Sequence, residues 1–106
     1  DIIWVEVGNA ELGEQTMKLR PEVVRALERE KMISETAIAR LRDKYRLLEQ
    51  RYGWSTDEFL RKFNAGEIGD EQEFFLWYAL AEAVKDWEKT CDGLEELLAG
   101  SELVGA

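Results

Sequence analysis

The fold is decided by residues 21–52, which read PEVVRALEREKMISETAIARLRDKYRLLEQRY. This stretch begins at the only proline of the chain, has no internal glycine and is followed by Gly53, so it predicts one helix over about 21–52. Apolar side chains recur in it at alternating steps of three and four, which holds one face against a partner helix. The apolar positions of this first stripe are Val24, Leu27, Ile38, Leu41, Tyr45, Leu48 and Tyr52, and the polar Lys31 and Ser34 occupy the two positions between Leu27 and Ile38.

A second stripe of the same kind lies in the C-terminal half, where it predicts a helix over about 70–98. Its positions are Trp77, Leu80, Val84, Trp87, Cys91, Leu94 and Leu98. Two long stripes of similar length in one chain predict a mainly α protein, built as a long, coiled-coil-like antiparallel hairpin. We take residues 21–99 as this hairpin domain.

A short helix over about 55–64 is expected to bridge the tip of the hairpin. Ser55 and Glu58 have the spacing of a capping box, and Trp54 and Phe59 have that of a hydrophobic staple. Asp70 and Glu73 repeat the box spacing, which predicts the start of the last helix.

Residues 1–20 are expected to form a β-ribbon that serves as a dimerisation arm. The run from Ile2 to Val7 is β-branched and apolar, Gly8-Asn9 and Gly13 indicate a loop, and residues 17–20 are suited to a return strand. An isolated ribbon is marginal in water, so we expect a homodimer. The residues expected in or near its contact are Ile3, Trp4, Val5 and Leu19. Residues 100–106 are expected to be a flexible tail.

The charge of the chain is unevenly distributed. Its 106 residues suit a single domain, and the net charge of −9 comes from residues 54–106, which hold thirteen acidic and four basic side chains. Such a surface repels nucleic acid and attracts basic proteins, although charge runs also serve as plain solvated faces. No run approaches the roughly 20 apolar residues of a membrane helix. The single cysteine, Cys91, lies on a stripe as a small core residue, and a cytoplasmic location is expected. The chain begins at Asp1 rather than Met, which leaves room for native residues before it.

The sequence favours a non-catalytic protein with no cofactor and no metal. It contains no histidine and no glycine-rich phosphate loop. One carboxylate cluster resembles a magnesium site, but its spacing fits helix caps and ion pairs better. The members of that cluster are Asp70, Glu71, Glu73, Glu82 and Asp86.

The aromatic residues exceed what a two-helix seam can bury, so some of them are expected to bind a partner. Because they lie on the acidic half, a protein partner is favoured over single-stranded nucleic acid. The predicted partner-binding residues are Trp4, Phe74, Phe75, Tyr78 and Trp87.

The run from Tyr52 to Asp70, YGWSTDEFLRKFNAGEIGD, together with Phe74–Tyr78, FFLWY, resembles a family of small prokaryotic proteins. These share a Tyr-Gly-x-Ser-x-x-Glu-Phe…Gly-Glu-x-Gly-Asp…Phe-x-Trp core and are regarded as antitoxin-like members of type II toxin–antitoxin modules. The resemblance covers about residues 41–98. It implies an inhibitor that blocks a small, basic, RNA-directed toxin, and it transfers no catalytic residue.

Two alternatives remain open at the sequence level. Residues 16–38 fit a ribbon-helix-helix repressor, with Lys18 and Arg20 facing the DNA major groove, although the expected glycine turn before Ser34 is missing. The chain is also consistent with a structural or adaptor hairpin that has no toxin partner.

Overall fold

The structure, a computed structural model, describes the backbone of residues 2–6 and 15–103 and the side-chain surroundings of residues 18–101. The protein is mainly α, and its two long helices form an antiparallel hairpin, with a short helix between them and short strands near the chain ends. No helix in the described ranges is long and apolar enough to cross a membrane. The elements in chain order are β1 Ile2–Glu6, β2 Gln15–Leu19, α1 Pro21–Tyr52, α2 Thr56–Asn64, α3 Gln72–Ala99 and β3 Ser101–Leu103.

Helix α1 is continuous over all 32 residues, as the uninterrupted stripe predicts. Ser34, the one position where a new helix could have started, is fully buried, and its Oγ donates to the carbonyl of Glu30 at 2.9 Å. The hydroxyl is therefore satisfied by the preceding turn of the same helix. The helix ends at Gly53, which has a φ of +72° and donates its N–H to the carbonyl of Glu49 at 2.8 Å.

The chain divides into two compact units, and residues 35–89 form the first, the hairpin unit. In it, residues 35–52 of α1 and 72–89 of α3 bury their stripes together, and α2 packs on the same core. Arg42 of α1 and Glu88 of α3 form an ion pair at 2.5 Å. The core consists of Leu48, Phe59, Leu60, Phe74, Trp77, Leu80 and Ala81.

The second unit, the sheet unit, joins residues 1–34 with 90–106. Its three-stranded sheet has the order β1-β2-β3, with β1 antiparallel and β3 parallel to β2. Trp4 pairs with Met17, and Lys18 with Glu102. Lys31 and Glu95 link the two helical segments of this unit, with Nζ 3.7 Å from Oε1.

The sheet unit differs from the sequence-based predictions at β3 and Leu19, and two predicted segments of it cannot be compared. Ser101–Leu103 form strand β3, where a flexible tail was expected, because these backbone groups find partners on β2. Leu19 is completely buried within the chain, so it is not available to a dimer contact. The predicted loop around Gly8-Asn9 and Gly13 and the end of the predicted tail, residues 104–106, lie outside the described residues.

One of the two predicted helix starts is confirmed. Ser55 caps α2, because its side-chain oxygen accepts the N–H of Glu58 at 3.1 Å. Helix α3, by contrast, starts at Gln72 rather than Asp70, and Glu71 supplies the first carbonyl acceptor, for the N–H of Phe74. The carboxylate of Glu73 accepts hydrogen bonds from two side chains of α1, which explains why the second capping box does not form.

Candidate protein-binding surface

The aromatic residues at the tip of the hairpin unit form its core. The rings of Phe59 and Trp77 are parallel, with centroids 4.1 Å apart, and both side chains are fully buried. The indole N–H of Trp77 donates to Thr56 Oγ1 at 3.0 Å. Thr56 in turn donates both its hydroxyl and its backbone N–H to the carboxylate of Glu49, at 2.9 and 2.8 Å. This chain of hydrogen bonds ties all three helices together.

The five predicted partner-binding aromatics have different surroundings. Phe74 is 4% exposed and belongs to the core, which leaves little of its side chain accessible to a partner. Tyr78 and Trp87 are half-buried, and the ring of Tyr78 stacks on that of Phe63 at 5.1 Å. Phe75 is 53% exposed. The side chain of Trp4 lies outside the described residues.

An apolar strip runs along the side of α3 that faces away from the core, and Phe75 is part of it. Its neighbour Leu76 is 54% exposed, Ala79 is exposed and Ala83 is half-buried. We call these four residues the outward face. A shallow depression of about 440 Å³, lined by Gln72, Glu73 and Leu76, lies at its start. Leu76 was not among the residues predicted from the sequence, although its position off the stripe was a usable signal.

Carboxylates border the N-terminal end of the outward face. Asp70 and Glu71 are exposed and form no ion pair with any described residue. Glu67 is 3.4 Å from Arg61, and Glu82 is 3.6 Å from Lys85. Because the last two pairs are exposed, their charges remain accessible to a partner.

A hydrogen-bonded group of three side chains fixes the start of α3 against the end of α1. Tyr52 and Arg51 both donate to the carboxylate of Glu73. The hydrogen bond from Tyr52, reinforced by Arg51, lowers the pKa of Glu73, whereas the same hydrogen bond and burial raise the pKa of Tyr52.

A second concave region of the hairpin unit is a polar cleft of about 350 Å³ between the start of α2 and the two long helices. Three of its charged residues are already engaged, since Glu49 accepts from Thr56 and Glu88 pairs with Arg42. Within residues 35–89, no three acidic or sulfur ligands converge on one point. The carboxylates whose spacing resembled a magnesium site are therefore spread out. Glu73 contacts α1, Glu82 pairs with Lys85 within α3, and the others are exposed.

The two DNA-contacting residues of the repressor alternative lie in the sheet unit. Lys18 is half-buried and Arg20 is exposed. Strand β2 has β1 on one side and β3 on the other, so it has no open edge to pair with a second copy. With α1 unbroken at Ser34, the strand–helix–turn–helix arrangement that this alternative requires is not formed in the described residues.

Comparison of the chain with protein-family models, with curated proteins and with solved structures finds no match. The antitoxin-like motif therefore remains a prediction from the sequence, and the functional argument rests on the surfaces described above.

Proposed function

We propose that this protein is a non-catalytic, cytoplasmic protein-binding module that acts as an antitoxin-type inhibitor of a small, basic, RNA-directed toxin. The observation that carries the proposal is the outward face of α3, where Phe75 and Leu76 are half-exposed next to carboxylates that have no ion partner among the described residues. Exposed aromatic side chains in a desolvated contact supply affinity, and surrounding charges supply the rate of encounter.

The charge of the chain supports a basic partner. Residues 54–106 carry all of the net charge of −9, and the outward face belongs to this half. A basic protein is therefore attracted to the half of the chain that carries Phe75 and Leu76.

The decisive experiment is co-expression with the product of the adjacent gene, with cell growth and RNA cleavage as readouts. If that product is a small basic toxin, the chain should restore growth and bind the toxin directly. A neighbouring product that is neither basic nor toxic, with only the chain itself recovered in pull-downs, would favour the structural hairpin.

Truncation of the outward face provides the sharper test. Phe75→Ala or Leu76→Ala should each weaken toxin binding by about 2 kcal/mol or more in calorimetry, because an anchor side chain is lost from the contact. Glu71→Gln should mainly slow association and reduce its salt dependence. Leu47→Ala is the matched control, since Leu47 is 68% exposed on α1 and away from this face. Equal losses for Leu47→Ala and Phe75→Ala would contradict the proposal.

A further inference from the structure

The carboxylate of Glu73 has two sets of partners within reach at the start of α3, and the structure uses one of them. Its two oxygens each accept one hydrogen bond from the end of α1, Oε2 from Arg51 and Oε1 from the hydroxyl of Tyr52. The spacing of Asp70 and Glu73 is that of a capping box, in which the same carboxylate accepts the backbone N–H of Asp70. Because one side chain cannot point toward α1 and back toward Asp70 at the same time, the two arrangements exclude each other.

The observed arrangement leaves the capping groups of α3 unused. The carbonyl of Glu71 accepts the N–H groups of Phe74 and Phe75, at 3.0 and 3.4 Å. A box would join the backbone N–H of Glu73 to the carboxylate of Asp70, and neither group forms a hydrogen bond with any described residue. Both groups are therefore available for the second arrangement.

The segment that has to move between the two arrangements is not held by the core. Residues 69–71 lie between α2 and α3, are exposed and belong to no helix or strand. A Cβ added at Gly69 would meet no atom within 4 Å, so there is space around this part of the link. Its backbone can therefore change while Phe74 and Trp77, the next buried side chains, keep their places.

The hydrogen bonds of the two arrangements are of similar strength. The side chain of Arg51 is 64% exposed, and an ion pair with such a partner contributes little because water screens it. The bond from Tyr52 to the carboxylate and the bonds of a side-chain cap are of comparable size. Loss of the two donors on α1 is therefore sufficient to reverse the preference.

We propose that Glu73 is a conformational switch at the tip of the hairpin unit. Bound to Tyr52 and Arg51, it fixes the start of α3 to the end of α1. Released from them, it completes a capping box with Asp70, and α3 then begins one residue earlier, at Glu71. The switch needs no partner and goes beyond the proposed function, although it acts on the backbone directly before the outward face.

The first test uses a released variant of the full chain, Arg51→Ala combined with Tyr52→Phe. Phenylalanine keeps the ring that packs on the core, and alanine is a good helix former, so this variant should fold. In NMR spectra the Cα chemical shift of Glu71 should move toward the helical value. Exchange of the Glu73 amide hydrogen should slow about fivefold, because that N–H gains a capping acceptor. An unchanged shift and an unchanged exchange rate would overturn the proposal.

Tyr45→Phe combined with Arg46→Ala is the matched control. It makes the same two changes seven and five residues earlier on α1, where Arg46 pairs with Asp43 of its own helix rather than with Glu73. The Cα shift of Glu71 and the exchange of the Glu73 amide should both remain as in the wild type. The same changes in the control as in the released variant would also overturn the proposal.

Asp70→Ala provides a second, independent test when it is made in both backgrounds. In the wild type Asp70 caps nothing, so the urea midpoint should change little. In the released variant Asp70 caps α3, so the midpoint should fall further and the exchange of the Glu73 amide should return to the wild-type rate. The charge of Asp70 near the helix start acts in both backgrounds and cancels in the difference. Equal midpoint changes in the two backgrounds would overturn the proposal.

Discussion

Thr56 is the residue on which the three helices of the hairpin unit converge. Its hydroxyl accepts from Trp77 and donates to Glu49, so both of its hydrogen-bonding roles are used. Thr56→Val keeps the shape but leaves the buried indole N–H without an acceptor, which should lower the free energy of unfolding by about 1–3 kcal/mol.

Urea unfolding followed by tryptophan fluorescence measures this loss. Thr36→Val is the matched control, because Thr36 is exposed on α1 and a surface change of this kind is usually within about 0.5 kcal/mol of neutral. The hydrogen-bond chain would have no role in stability if the two variants unfolded at the same urea concentration.

Glu73 gives the protein a pH-dependent element of stability. Because the hydrogen bond from Tyr52 and the charge of Arg51 lower its pKa below the ordinary value of 4.5, the folded state favours the ionised carboxylate. That contribution should be fully present above pH 4.5 and should fall as the pH drops toward the lowered pKa. Tyr52 behaves in the opposite sense, since its pKa is raised above 10.0 and its contribution should be lost in strong alkali.

The melting temperature, measured between about pH 2 and pH 7, should fall at the acid end of this range, and we call this fall the acid limb. Glu73→Gln should flatten that limb relative to the wild type. Glu71→Gln should preserve it, because Glu71 accepts neither the hydrogen bond from Tyr52 nor that from Arg51. An unchanged acid limb in Glu73→Gln would mean that these two hydrogen bonds are not formed in solution.

At the scale of single elements, two glycines with opposite roles provide a paired test. Gly53 ends α1 in the left-handed region, where a Cβ meets no neighbour but is strained by its own backbone, so Gly53→Ala should destabilise by about 1–2 kcal/mol. Gly93 lies inside α3, where an added methyl group would extend into open space, so Gly93→Ala should stabilise by about 1 kcal/mol. Chemical denaturation should show stability changes of opposite sign, and changes of equal sign would contradict the placement of Gly53 at a helix end or of Gly93 inside a helix.

The helices could be predicted from the sequence because the apolar spacing that indicates them is local and repeats along each helix. Stripe positions such as Leu48 and Trp77 are buried, since a 3–4 alternation fixes one face over many turns. The start of α3 could not be predicted, because Glu73 binds two side chains of α1 rather than its own helix terminus. Strand β3 could not be predicted for a similar reason. Three residues are too few to show an alternating apolar pattern, and this segment forms a strand by pairing with β2, which is distant in the sequence.

The candidate surface was only partly predictable. The number of aromatic residues was larger than a two-helix seam can bury, which indicated that some of them remain exposed, and Phe75 is exposed. Which of them would be exposed depends on where α2 packs, and Phe74 lies against Phe59 of that helix, with ring centroids 5.8 Å apart. A rule based on residue type cannot separate Phe74 from Phe75.

At the scale of the whole molecule, the edge of the sheet determines the oligomeric state that we propose. Among the described strands only β2 lies beside β1, and β1 carries neither lysine nor proline to protect its other edge. We expect a homodimer formed through β1, with Ile3, Trp4 and Val5 at the contact. Light scattering at tens of micromolar should give twice the chain mass of 12.3 kDa, and Ile3→Lys should shift it toward the monomer. A wild-type monomer would exclude this contact.

The division of the chain between its two units also sets the order in which they can be completed during synthesis. The hairpin unit is one continuous stretch that is finished when Lys89 leaves the ribosome, whereas the sheet unit needs Leu103 to reach back to Leu19, near the other end of the chain. Since domains fold as their residues emerge, the surface that we assign to the partner is complete before the sheet can close. A nascent chain halted between these two points would therefore already contain the whole hairpin unit, with Phe75 and Leu76 on it.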